Sequence, residues 1–276
     1  MAEIYWQGDD SIEPADFNTA ANWAGGVVPV AGDDILFSPQ YNNRCTTNTD
    51  QGSTGFGDVI IEAGFTADIG TVAEPLTCTP DRFEYSGQGV IHVDLSAAAI
   101  PVIITNSAAF AAGKAGVNVN GSAITTLSIS GGSCAIGFGA GDTATVTTAR
   151  VTGSGRLIIG NGTTITNLDV ISGTADLRAT VATVKVFGGR LLTAEAAAIS
   201  TKLTAYAGRL VLSGSGTIAD LLLDGTPSVD FTQSGLDRIV TAFKNNGGTV
   251  KRDPNVVTIT TETVADKPAT TRVAAI

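Results

Sequence analysis

Residues 184–212 read VKVFGGRLLTAEAAAISTKLTAYAGRLVL, and within them Gly189-Arg190-Leu191 returns as Gly208-Arg209-Leu210. The same tripeptide stands upstream as Gly155-Arg156-Leu157. Each copy runs on into aliphatic residues (Ile158-Ile159, Leu192, Val211-Leu212) and follows a short run in which apolar residues alternate. With the leucine as anchor, weaker copies fill the intervals. The column becomes Ile136, Leu157, Leu177, Leu191, Leu210, Val229 and Val250. The alternating pairs before it are Leu127/Ile129, Ala149/Val151, Leu168/Val170, Val184/Val186, Leu203/Ala205, Leu221/Leu223 and Ile239/Thr241. Alternation at period two turns one face of a strand inward. A glycine-rich bend and a second short strand complete a unit that cannot bury its apolar face alone. Stacking such units edge to edge buries it. The fold read from this is all-β, a β-solenoid of roughly seven coils between about residues 124 and 255, about 35 Å long at the usual strand spacing. A β-sandwich or jelly roll is the alternative, since it also gives short strands between regular turns. Two stretches, Ala194–Ile199 and Leu236–Asn245, fit short helices.

The composition agrees. Glycine occurs 33 times in 276 residues, 43% of residues are hydrophobic and 15% are charged. That is too apolar for a disordered chain and too poor in charge for a coiled coil. Acids outnumber bases 26 to 16, a net charge of −10. Such a balance repels phosphate and speaks against a nucleic-acid partner. No run of 18 apolar residues occurs, so no membrane span is expected. The start, MAEIYWQGDD, lacks the basic and apolar regions of a secretory signal. The expectation is synthesis in the cytoplasm, with release by a route such as lysis of a host cell.

Little in the sequence promises chemistry. Cys45, Cys78 and Cys134 are odd in number and lack CxxC spacing, so they read as free buried thiols, with a Cys45–Cys78 bridge as the alternative. His92 is the one histidine and shares the outward face of an alternating strand with Asp94. No G-x-S-x-G elbow accompanies it, which leaves a surface histidine. Asp9-Asp10 and Asp33-Asp34 offer oxygen ligands of the kind calcium takes, but Asp33-Asp34 more simply marks the turn into Ile35–Phe37. A glycoside hydrolase on a β-helix needs two carboxylates on one outward face. Asp169, Asp176, Asp220, Asp224 and Asp230 do not form an obvious ladder. The expectation is a non-enzyme without metal or cofactor. Arg156, Arg190 and Arg209 share one column of the repeat, with Asp176 placed in it too. This basic stripe either keeps one face soluble or meets an acidic partner, such as a capsid surface or an anionic polysaccharide.

Residues 1–95 have a different texture, with both tryptophans, most aromatics and a cluster of acids. They read as an N-terminal capping or anchoring region, followed by the solenoid body over 96–257 and an extended tail over 258–276. The tail is either flexible or an arm that adds a strand to a neighbouring subunit. The run Asn22-Trp23-Ala24-Gly25-Gly26-Val27-Val28-Pro29, continuing to Ala31-Gly32-Asp33-Asp34-Ile35-Leu36-Phe37, resembles a pattern NWxGGxxPxxGDDxxF. That pattern opens many bacteriophage virion proteins with β-solenoid bodies and is similar to one in autotransporter-associated β repeats. The resemblance implies a capped first coil built on Trp6, Trp23, Pro29, Asp33, Asp34 and Phe37. It further implies a structural protein of a phage particle. This would be a capsid decoration protein or head fibre, trimeric, bound to the major capsid protein or other virion proteins and assembled in the host cytoplasm. A receptor- or polysaccharide-binding tail fibre or tailspike module, or a bacterial surface adhesin, is the alternative.

Overall fold

A computed structural model of the protein describes residues 2–95, 99–105, 116–137, 141–194, 197–233, 237–253, 255 and 257–264. The chain winds as a parallel β-solenoid. One stack of strands begins with Glu3–Tyr5, Asp34–Phe37, Asp58–Ile61, Arg82–Tyr85 and Ile100–Thr105. It continues through the second half of Val117–Gly131 into Ala144–Val151, Thr163–Val170, Val181–Val186 and Ile199–Ala205. Ile218–Leu223, Arg238–Asn245 and Val257–Val264 complete it. A second stack runs alongside from Leu76–Cys78 and Ile91–Leu95 through Ser133–Ile136, Arg156–Ile159, Thr174–Leu177, Arg190–Thr193 and Arg209–Leu212 to Ser228–Asp230 and Thr249–Lys251. Every pairing between these strands is parallel, which removes the sandwich, whose hairpins are antiparallel. Among the described residues no helix is long and apolar enough to cross a membrane.

The core is the set of inward columns. Ala149, Leu168, Val184, Leu203, Leu221 and Phe243 lie one above another, and so do Cys134, Leu157, Ala175, Leu191, Leu210, Val229 and Val250. All are buried. Burying each large aliphatic side chain is worth about 1.5–3 kcal/mol before conformational entropy is counted.

The long strands turn a corner. In Ala144–Val151 the inward residues are Ala144, Val146, Ala149 and Val151, while Thr147 and Thr148 both face out. Thr163–Val170 and Arg238–Asn245 repeat the break. This phase break corrects two expectations. In the stretch Leu236–Asn245 the residues Arg238–Asn245 form a strand, not a helix, and residue 236 lies outside those described. Val240 and Phe243 stand three apart, as in a helix, because a corner separates them. Ile239/Thr241 is likewise not the inward pair. Ile239 is exposed, and Phe243/Asn245 stack on Leu221/Leu223. In the other stretch, Ile199 opens the strand Ile199–Ala205 rather than ending a helix, and residues 195 and 196 lie outside those described.

The anchor column also shifts. Leu157 pairs with Cys134 and Ala175, not with Ile136 and Leu177, which belong under Ile159. A search for large aliphatics slides two residues past the small Cys134 and Ala175, and a slip of two keeps the same face inward. Among the described residues the seven expected coils from residue 124 remain, each with one strand in the first stack and one in the second, ending at Lys251.

Residues 1–95 stack on the same column as the rest: Ile91–Leu95 pairs with Val117–Gly131, and Arg82–Tyr85 with Ile100–Thr105. The segment read as a tail opens with Val257–Val264, paired along Arg238–Asn245, and residues after 264 lie outside those described.

Candidate functional site

At the start of the stack Trp6 and Trp23 meet edge to face with ring centroids 4.9 Å apart. Phe37 lies 6.1 Å from Trp6, and Phe17 lies 4.8 Å from Trp23. All four rings are buried, and the two indole N–H groups donate to the carbonyls of Asn43 and Phe17. Pro29 is buried nearby in sequence. Asp33 Oδ2 accepts from the Val30 N–H, and Asp34 Oδ1 accepts from the Asp58 N–H. Asp10 Oδ1 accepts from the N–H groups of Ile12 and Glu13, and those bonds hold its carboxyl below its usual range. These acids are spent on turns and strand ends. Among the described residues no group of three or more His, Cys, Asp and Glu side chains is placed to hold a metal ion.

The three cysteines are buried and unbridged. Burial pushes the Cys78 thiol up to about 12, and raises Cys45 and Cys134 as well, so none is a ready nucleophile.

His92 and Asp94 stand on the outward face of Ile91–Leu95, while Ile91, Val93 and Leu95 point in. The parallel register sets Asn118 beside His92 and Asn120 beside Asp94. With Asp142 they line a cavity of about 300 Å³, and Val72 and Pro75 form its apolar rim. A second hollow of about 200 Å³ shares Asp94, Asn120 and Asp142. Burial, then the charges of Asp142 and Asp50, raises the Asp94 carboxyl. Burial lowers the His92 imidazole, with Asp68 and Asp142 opposing. The groove therefore offers acceptors, amides and a neutral imidazole, a set suited to hydroxyl groups. Alternation alone puts His92 and Asp94 on a common face but does not bring in Asn118, Asn120 or Asp142. The alternation Val117-Asn118-Val119-Asn120 was the available signal.

The register sets Arg156, Thr174, Arg190 and Arg209 one after another along the coils. Arg190 pairs with Arg209 and with Thr174, which in turn pairs with Arg156. Asp176 is not in that column; it sits between Ile158 and Leu192, two residues along the strand. Its carboxylate reaches Arg156 at 3.7 Å and Arg178 at 3.9 Å. The error came from the same two-residue slip that displaced Leu177. Beside Arg190 and Arg209, on the same bends, stand Phe187 and Tyr206, stacked with centroids 5.2 Å apart and planes 14° from parallel. Their signal was an aromatic three residues before each arginine.

No protein-family model, no curated protein and no solved structure matches this chain.

Proposed function

We propose that the protein is a non-enzymatic structural component of a bacteriophage particle, a capsid decoration protein or head fibre that acts as a trimer on the major capsid protein. The observation that carries this reading is the parallel stack itself, which runs from Glu3 to Val264 and presents long outer faces. A rod of this kind bridges neighbouring subunits over extended surfaces, which is how a cementing protein adds stability to a shell. The similarity of the Asn22–Phe37 run to the start of phage virion solenoids supports the same reading. Particles purified from producing cells provide the test. The protein is expected to co-sediment with them at fixed stoichiometry, and particles lacking it are expected to open at lower temperature. Protein recovered only in the soluble fraction contradicts the proposal.

A second reading, a glycan-binding fibre module, is favoured by the groove around His92 and Asp94. Binding of neutral capsular polysaccharide that is lost in Asp94→Ala would support it. Release of oligosaccharides would contradict both readings in favour of an enzyme.

A further inference from the structure

We propose that Phe187, Arg190, Tyr206 and Arg209 form a docking patch for an acidic protein surface, one that presents an apolar side chain flanked by carboxylates. The patch is written twice in the chain, as Phe187-Gly188-Gly189-Arg190 and as Tyr206-Ala207-Gly208-Arg209. The two copies lie on successive coils in register: Val186 is beside Ala205, and Arg190 is beside Arg209. Aromatic therefore stands on aromatic, and the two arginines occupy paired positions on adjacent strands. Ile171, one coil earlier, extends the apolar row, since Val170 pairs with Val186. Ile171, Phe187 and Tyr206 are 40%, 44% and 39% exposed, and together they make a contiguous apolar ridge.

The bends beneath the ridge lie close against the preceding coil. Gly189 and Gly208 have φ of +66° and +85°, and a Cβ on either would meet backbone atoms of the preceding coil at 2.6–3.0 Å. A preorganised ridge loses little freedom on binding.

The arginines supply the charge argument. Arg150, Arg156 and Arg178 each reach an aspartate. Among the described residues neither Arg190 nor Arg209 makes an ion pair. Two like charges on directly adjacent strands repel one another in the free protein. A partner carboxylate between them relieves that repulsion and accepts planar, bidentate hydrogen bonds. The wider field points the same way. Residues 1–95 hold 15 acids and 2 bases (2 − 15 = −13), whereas residues 96–276 hold 11 acids and 14 bases (14 − 11 = +3). The patch lies on the part of the rod that attracts anions.

Tyrosine and arginine anchors of this kind dominate protein–protein interfaces. An acidic sugar fits less well. Sugar rings pack on open aromatic faces, but Phe187 and Tyr206 stack on each other and so cover one face of each ring.

The test is titration calorimetry of the full chain with a synthetic peptide repeating Glu, Leu, Glu and Gly. The double variant R190A/R209A and the double variant F187S/Y206S are both expected to weaken binding by about tenfold or more. The control R150A/K244A, which removes exposed cations of a neighbouring column, is expected to change it by less than about twofold. Circular dichroism identical to the parent protein verifies that each variant is folded. An equal loss in the control means diffuse electrostatics and overturns the patch. Unchanged binding in F187S/Y206S overturns the role of the ridge. Binding of alginate in preference to the peptide, or of neither, overturns the assignment to a protein partner.

Discussion

Arg238 is the least expected residue in the core, and replacing it with methionine gives a sharp test of how the coils are pinned. The residue is 1% exposed. Its Nη1 donates to the Gly216 carbonyl at 2.8 Å and to the Ala197 carbonyl at 3.3 Å. Its Nη2 donates to Thr193 Oγ1 at 3.1 Å and to the Ser213 carbonyl. Burial lowers its pKa to about 10, so it is still a cation at neutral pH. Among the described residues no carboxylate pairs with it. Carbonyl dipoles from the two preceding coils stabilise the charge instead. In Arg238→Met the Ser213 carbonyl keeps the Thr193 hydroxyl at 2.8 Å, but the Ala197 and Gly216 carbonyls lose this donor. An unpaired buried acceptor costs about 1–3 kcal/mol. Two of them, less the relief from no longer burying an ion, give a loss of about 2–4 kcal/mol. Urea unfolding followed by far-ultraviolet circular dichroism measures it, with Arg238→Lys as the partner variant. Lysine keeps the charge but cannot fork, so it is expected to recover less than half of the loss. Stability of Arg238→Met equal to or above the parent would refute the clamp, because it would show that an apolar filler serves as well.

Other expectations follow from the same packing. Trp23→Ala is expected to lose about 3–5 kcal/mol, and Trp23→Phe clearly less, in the same urea assay, since the ring is buried among Trp6, Phe17 and Phe37. His92 has a folded pKa below its unfolded value of about 6.5, so its contribution to stability is complete above that pH and falls away as pH drops through the folded value. His92→Gln should flatten that decline in midpoint against pH. Asp94→Asn should instead remove a gain in stability at acid pH, because the Asp94 pKa is raised. Cys45, Cys78 and Cys134 are expected to resist a thiol reagent until the chain unfolds; rapid labelling of any of them in the native state would contradict their burial.

The solenoid was legible because stacking copies one pattern at a short period, and six of the seven alternating pairs land inward as read. What was hidden has a physical cause in each case. The corner inside each long strand shifts the inward phase by one, so Ile239 looked like core and Phe243 like part of a helix. Small inward residues, Cys134 and Ala175, carry too weak a signal to hold the register against Ile136 and Leu177. The groove was less visible still, because it joins Asp94, Asn120 and Asp142 from different coils. Only the coil register places Asp94 and Asn120 side by side. The Phe187 and Tyr206 ridge was present as spacing, but its meaning depends on Arg190 and Arg209 making no ion pair among the described residues, and pairing is decided in three dimensions.

Coil register decides which residues share each face, and distances between spin labels measure it directly. Arg150, Asp169, Lys185, Thr204, Leu222 and Lys244 follow one another in a single outward column. Labels at 150 and 244 lie five strand spacings apart and those at 185 and 244 three, so the expected backbone separations are about 24 Å and about 14 Å. Two narrow distributions differing by about 10 Å would match the stack. Equal separations, or a longer distance for the pair closer in sequence, would contradict it.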